Sequence, residues 1–247
     1  MSRDWDAATY HRVSSPHVEW ANVLLDRLEL SGDERVLDAG CGSGRVTLML
    51  VERLPDGHVI AVDAAPAMVE HARATLRGRA SVVRADLTEL VLGERVDVVF
   101  SSAVFHWISD HDQLFARLRA ALRPGGRMVA QCGGEGNVER FHEAARAVAA
   151  GAPYAQHLAG WKGPWNFAGA AETADRLRRA GFTGVKTWLE PYPVVPEDPE
   201  DYLRTVCLGH HLGQLPPALR DGYLRAVRER ADDELDYVRL NILARRA

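Results

Sequence analysis

Sulfur, blocks of basic charge and long apolar runs are all scarce in this chain of 247 residues. Its three cysteines, Cys41, Cys132 and Cys207, lie far apart and form no C-x-x-C pair. An odd, scattered count argues against a disulfide framework and against a cysteine metal site, so reduced, buried thiols are expected. Lys and Arg number 30 against 34 Asp and Glu, a net charge of −4 at pH 7. With no basic stripe to neutralise phosphates, nucleic acid is not an expected partner. No apolar run nears the roughly 20 residues that span a bilayer, so no membrane role is expected either. The opening "MSRDWDAATYHR" carries charge where a signal peptide has its apolar core, and a cytoplasmic location follows as the expectation.

What is present is a regular alternation of two periods. "RVLDAG", "HVIAVDAA", "ASVVRAD", "VDVVFSSAV" and "GRMVAQCGG" are short apolar runs that read as strands. "GRVTLMLVERL", "PAMVEHARATLR", "QLFARLRAALRPGG" and "VERFHEAARAVAA" have helical spacing, the second opened by a proline and the third closed by Pro124 and glycines. Strands alternating with helices predict an α/β fold, a parallel sheet with helices on both faces. Strands that are apolar throughout predict burial on both sides. With 47% hydrophobic residues the chain can build one sizeable core with an elaborate insertion.

After Ala150 the pattern breaks. "GAPYAQHLAGWKGPWNFAG" reads as a loop with short helical pieces, "AETADRLRRAGF" as a helix and "GVKTWLEPYPVV" as a strand. "PEDPEDYLRTVCLGHHLGQLPPALRDGYLRAVRERA" reads as two helices parted by Pro216 and Pro217, and "LDYVRLNILARR" as a last strand. The expected organisation is an N-terminal helical lid over 1–33, a Rossmann-like core over 34–150, and the remaining core elements over 151–247. Cap insertions are expected at about 152–167 and 197–232.

The stretch "VLDAGCGSGRV" places Gly40, Gly42 and Gly44 directly after the first strand. In an open parallel sheet, ligands sit beyond the carboxyl ends of the strands, where this loop lies. Its G-x-G-x-G spacing departs from the dinucleotide fingerprint G-x-G-x-x-G/A, because Arg45 stands where the last small residue belongs. Asp38 also opposes a pyrophosphate and suits an ammonium group. A ligand with an amine near Asp38 and a carboxylate near the helix N-terminus is an amino acid; a tight turn with a helix start is the alternative. Asp63 ends the second strand, where an acid commonly holds ribose hydroxyls; otherwise it is a loop acid. Asp86 ends the third, where it suits an adenine amino group or caps the following turn. Taken together, the three acids and the loop describe amino acid, ribose and adenine in order, which is S-adenosylmethionine.

These pieces resemble the class I S-adenosylmethionine-dependent methyltransferases. The matching segments are "VLDAGCGSG", "VIAVDAAPAMVEHAR", "VRADLTEL", "VDVVFSSAVFHW" and "LRPGGRMV", from Glu34 to about Gln131. "SSAVFHWISDHDQLFARLRAALRPGG" and "YVRLNILARR" are similar to the trans-aconitate methyltransferase group. The resemblance implies a Rossmann-like seven-stranded sheet with its last strand antiparallel, S-adenosylmethionine as cofactor, and a small-molecule acceptor. Because the related groups esterify carboxylates, it also implies a carboxylate acceptor. Carried over residue by residue, it puts Asp38, Gly40 and Gly42 at the methionine part. Asp63, Ala64 and Met68 flank the ribose and adenine, and Asp86 and Leu87 meet the adenine. Ser101 and Ser102 lie beside the sulfonium, and Tyr10 and Arg12 close over the cofactor from an N-terminal helix.

A carboxylate is already ionised at pH 7 and needs placing, not deprotonation. Trp107 is the candidate donor to it through its indole N–H. His106 is a second donor, or a base for a phenol, amine or carbon acceptor; His11 is a third candidate. Packing of the cleft wall is the plain alternative for each. Tyr154, Trp161, Trp165 and Phe167 form either a lid over an apolar substrate or a local core. Arg45 and the cap arginines read as solvated faces. His210 and His211 are adjacent and lack the i, i+4 spacing of a shared metal site, so no metal is expected. A non-catalytic binding module is the remaining alternative to an enzyme.

Overall fold

The computed structural model describes residues 15–247, with side chains from Trp20 onward. Helix α1 (Ser15–Asp26) leads into β1 (Arg35–Ala39), α2 (Arg45–Glu52), β2 (His58–Asp63), α3 (Pro66–Leu76), β3 (Ser81–Arg84) and β4 (Val96–Ser102). Then follow α4 (His111–Ala121), β5 (Leu122–Gly133), α5 (Glu139–Ala149), α6 (Ala155–Leu158), α7 (Ala170–Arg179) and β6 (Phe182–Pro191). The chain closes with α8 (Pro199–Tyr202), α9 (Gly209–Gln214), α10 (Pro217–Arg228) and β7 (Val238–Arg246). The strands form one sheet in the order β3-β2-β1-β4-β5-β7-β6. The first five pair in parallel, and β7 runs antiparallel to both β5 and β6. This is the expected Rossmann-like sheet with its last strand reversed.

Local chemistry accounts for the starts of the helices. Gly44 turns into α2 at φ 82, Pro66 opens α3, and the Asp110 side chain accepts from Gln113 N to cap α4. Central β1 and β4 are almost wholly buried because helices cover both faces of the sheet. One face packs Phe105, Phe115 and Leu118 against Leu240 and Ile242. The other packs Leu24, Leu28, Leu50 and Phe100. A third cluster joins Trp20 and Phe141 to Tyr202, Leu208 and Tyr223 of the C-terminal helices, which cap the carboxyl edge beside β5 and β7.

Three local expectations change. Strand β3 is largely exposed, because it is the sheet's edge and has a neighbour on one side only. The proline and glycines after α4 lie inside β5: Leu122 already pairs with Val96, and the register shifts by Val98. Gly126 is needed there, since a Cβ would come within 3.0 Å of the Asp97 carbonyl. The first helix of the 197–232 segment is interrupted by a π-turn over Leu203–Cys207, where Leu208 N–H donates to the Leu203 carbonyl at 2.7 Å. Such π-turns cluster at functional sites. None of the described helices is long and apolar enough to cross a membrane.

Candidate active site

A cavity of about 730 Å³ opens along the carboxyl edge of the sheet, from β3 to β7. The β3-β2-β1 half carries the glycine loop and the three acids. Gly40 N–H and Cys41 N–H both donate to the Val62 carbonyl, at 2.8 and 2.9 Å, tying the loop to β2. Gly40 sits at φ 90, and a Cβ there would lie 2.2 Å from Val104 Cγ2, so no side chain fits. Gly42 has φ 53 and lines the cavity, and a Cβ there would meet no atom within 4 Å. The bare backbone of the loop therefore faces the cavity.

Asp38 is 2% exposed and accepts from the Thr47 hydroxyl at 2.6 Å. Burial, helped by the charge of Asp63 and opposed by the Thr47 bond, pushes its carboxyl up to about 7. A buried carboxylate in this state is best satisfied by a cation, which is what an ammonium group would supply. Asp63 braces the loop: its Oδ2 accepts from Gly42 N–H and its Oδ1 from Ala65 N–H, each at 2.9 Å. Burial raises its pKa as well. Asp86 is exposed, and its Oδ1 takes both the amide and the hydroxyl of Thr88, at 2.8 and 2.7 Å. It caps a turn and leaves its second oxygen for a ligand. Ala64, Met68 and Leu87 line the same end of the cavity.

The β4-β5-β7 half is built differently. Ser102 lines the cavity, whereas Ser101 is buried and donates its hydroxyl to the Ala39 carbonyl at 2.6 Å. Ser101 thus fastens β4 to β1 and does not reach the cavity. Ala103 follows at φ 61, a left-handed position that turns the chain so that Val104 covers Gly40. The next residues form a 3-10 turn over Phe105–Trp107, and His106 and Trp107 both line the cavity. Gly133 N–H donates to His106 Nδ1 at 3.2 Å. An accepting Nδ1 carries no proton, so the neutral ring bears its proton on Nε2 and is a donor there.

The four aromatics of the irregular segment divide between the two expected roles. Trp165 and Phe167 line the cavity, while Tyr154 and Trp161 pack against the capping cluster. Asn166, between the first two, is clamped to the His106 turn. Its N–H donates to the His106 carbonyl at 2.8 Å, and its side chain donates to the Ile108 and Ser109 carbonyls at 3.2 and 3.1 Å. Tyr10, His11 and Arg12 lie outside the described residues. Among the described residues, no group of three or more His, Cys, Asp or Glu is placed to hold a metal ion. All three cysteines are free and buried, and burial raises the Cys41 thiol.

Some cavity residues carried no motif. Asn137, Phe141 and His142 follow β5, His210 lies on α9, and Arg239 starts β7. Two signals pointed to them. "GGEGN" repeats at the end of β5 the glycine-rich strand end of the first loop, and Arg239 is a charge within an apolar strand. Arg239 is 1% exposed, with its guanidinium 4.2 Å over the Trp20 ring.

A family model described as a methyltransferase domain matches residues 36–126. A trans-aconitate 2-methyltransferase of Acidovorax sp. is 31% identical over 231 residues, covering 92% of this chain and 88% of that one. Another, of Methylobacterium radiotolerans, is 33% identical over 229 residues, covering 90% and 87%. The chain belongs to the trans-aconitate methyltransferase group of class I S-adenosylmethionine-dependent methyltransferases. The methyltransferase fold extends to the YcgJ protein of Bacillus, which superposes with a TM-score of 0.68 at 15% identity, covering 93% of this chain and 99% of that one. The chain is therefore an enzyme that uses S-adenosylmethionine. The built features of its cavity fit that cofactor: a buried acid with no ion pair among the described residues and a glycine backbone open to the ligand.

Proposed function

We propose that this methyltransferase esterifies a carboxylate oxygen of a small acid. The observation that carries the reading is the donor state of His106. Methylation of a phenol, amine or carbon acid needs a base, but His106 Nδ1 is occupied by Gly133 N–H and Nε2 carries the proton. An ionised carboxylate needs donors, and His106 Nε2–H with the Trp107 indole N–H supplies them. The relatives named above act on trans-aconitate, which is itself a carboxylic acid.

When bound, S-adenosylmethionine supplies an electrophilic methyl group on a sulfonium, which departs as a thioether. In this reading Asp38 meets the ammonium of its methionine part and Gly40 and Gly42 give backbone room. Asp63 and Asp86 take the ribose hydroxyls and the adenine amino group through their remaining lone pairs, and Met68 and Leu87 pack the base. Ser102 lies beside the reacting centre. His106 and Trp107 fix the acceptor oxygen in line, and the chain's contribution is placement and exclusion of water. Tyr10, His11 and Arg12 remain candidates for the closing side.

The test is a panel of carboxylic acids with mass detection of the methyl ester, run on the wild type, His106→Gln and His106→Phe. Gln keeps an N–H donor and should retain most turnover. Phe should lose about 10–100-fold in kcat/KM, as expected for a lost hydrogen bond to a charged group. The wild-type kcat should be flat between about pH 6 and 8. A kcat that falls with acid in the wild type and loses that limb in His106→Gln would identify a base and sink the reading.

A further inference from the structure

We infer that Arg239 and Asn137 form an anion subsite for a second carboxylate of the acceptor, and that Arg239 sets the preference for acids that carry one. The inference rests on the carboxylate reading above and deepens it. Arg239 lines the cavity at the start of β7, which β5 and β4 separate from β1 and the glycine loop. It therefore belongs to the acceptor's half, where the rings of Trp107, Trp165 and Phe167 line the wall. A guanidinium stays charged, and burying one costs several kcal/mol unless partners repay it. An apolar side chain of similar size is often as stable in such a place, so folding alone does not call for a cation there.

The guanidinium is held in one orientation. Its Nε donates to Gln131 Oε1 at 3.3 Å, and its carbon lies 4.2 Å over the Trp20 ring. Gln131 is oriented in turn. Its Nε2 donates to Asn241 Oδ1 at 2.8 Å, and Asn241 Nδ2 donates to Glu190 Oε2 at 3.0 Å. A carboxylate can only accept, so Glu190 fixes both amides and turns the Gln131 oxygen to Arg239. Arg239 pairs across the sheet with Gly133, so their side-chain positions share a face. A Cβ on Gly133 would lie 3.0 Å from Asn137 Nδ2, which puts that amide over Gly133 on the face where the Arg239 side chain leaves β7. Asn137 Oδ1 accepts from Val238 N–H at 3.1 Å, so its donor end is the one turned away from that backbone. Gly133 N–H meanwhile holds His106. The donor for the first carboxylate and the Arg239–Asn137 pair thus flank one glycine, and all three residues line the cavity. An anion at the pair gains charge-assisted hydrogen bonds from groups already in place.

The full chain is given S-adenosylmethionine and acids of matched length: succinate against butyrate, glutarate against pentanoate, and trans-aconitate against crotonate. Methyl ester is read by mass. The wild type should favour the acids with more than one carboxylate by at least about tenfold in kcat/KM. Arg239→Met should lower kcat/KM for those acids about 100-fold, mostly through KM, and for the monocarboxylates less than about threefold. Arg239→Lys, which keeps the charge without the planar fork, should fall between. Asn137→Asp keeps the acceptor for Val238 N–H and places an anion where the donor was. It should cost the same acids about tenfold or more, again selectively. The Kd for S-adenosylhomocysteine should stay within about twofold in each variant, which separates a lost contact from a lost fold. If Arg239→Met no longer binds S-adenosylhomocysteine, Asn137→Asp decides by the same comparison. Equal losses on both sets of acids, or a wild type that prefers the monocarboxylates, overturn this inference and leave the carboxylate reading standing. No ester from any acid, with S-adenosylhomocysteine still bound, overturns both.

Discussion

Asp38 and the two glycines after it divide the work of the loop in a way single substitutions can separate. At Gly40 a side chain meets Val104 at 2.2 Å at a left-handed φ, so Gly40→Ala should cost about 3 kcal/mol or more of unfolding free energy. At Gly42 a side chain meets nothing within 4 Å. Gly42→Ala should therefore cost about 1 kcal/mol in stability, yet weaken cofactor binding by filling its space. Urea unfolding set beside titration calorimetry with S-adenosylhomocysteine distinguishes the two, and equal effects on stability would contradict the geometry. Asp38, with its carboxyl at about 7, should make affinity depend on pH. A bound ammonium requires the ionised acid, so affinity should rise with pH up to about pH 7 and then level off. Asp38→Asn should bind more weakly and lose the acidic limb. At this scale the sequence was most legible where a residue ends a strand: Asp38, Asp63 and Asp86 all reach the cavity. It misled at Ser101, whose neighbour Ser102 faces the cavity while Ser101 itself points to the Ala39 carbonyl. Strand alternation gives opposite faces to adjacent residues, and an apolar strand with no polar alternation does not say which is which.

Elements follow the same division between legible and hidden. The alternating strands and helices from Glu34 to Gly133 were readable because each buries a regular stripe. Segments read less well where tertiary contacts override the local pattern. The π-turn at Leu203–Cys207 lies within what looks like an ordinary helix, and its register is set by the cavity and capping cluster that Val206 and Cys207 join. Residues 164–167 have no period at all, yet they hold a fixed course because Asn166 makes three bonds to the His106–Ser109 stretch. In the proposed reading that clamp serves acceptor binding and not cofactor binding. Asn166→Ala should raise the acceptor KM several-fold, since two side-chain bonds worth about 1 kcal/mol each are lost. The Kd for S-adenosylhomocysteine should stay within twofold. A cofactor Kd that worsened in parallel would show that the segment supports the whole cavity and not its ring-lined half.

Over the whole molecule, buried groups that resist charging make stability depend on pH in two opposed ways. His142 and His211, 8% and 5% exposed, have pKa values lowered to about 4 and about 3, mainly by burial. The unfolded chain takes up their protons near the ordinary value of 6.5, so the folded state is favoured above that pH and loses ground as pH falls. Between about pH 7 and pH 5 the two together cost about 4 kcal/mol. Asp38 acts in reverse, because its raised pKa lets the folded state bind a proton that the unfolded chain does not hold above about pH 4. Across the same interval it returns about 2 kcal/mol, and Asp63, also raised, acts in the same sense. The ligand-free wild type should therefore lose about 2 kcal/mol or less from pH 7 to pH 5, and Asp38→Asn about 2 kcal/mol more than the wild type. Saturating S-adenosylhomocysteine should steepen the wild-type dependence, since an Asp38 held ionised by the ligand can no longer take up its proton. Urea midpoints at the two pH values, for both proteins and with and without the ligand, read these slopes directly. Parallel pH dependence in wild type and Asp38→Asn would mean that Asp38 is already ionised in the free protein, and would remove the electrostatic reason for placing a cation beside it.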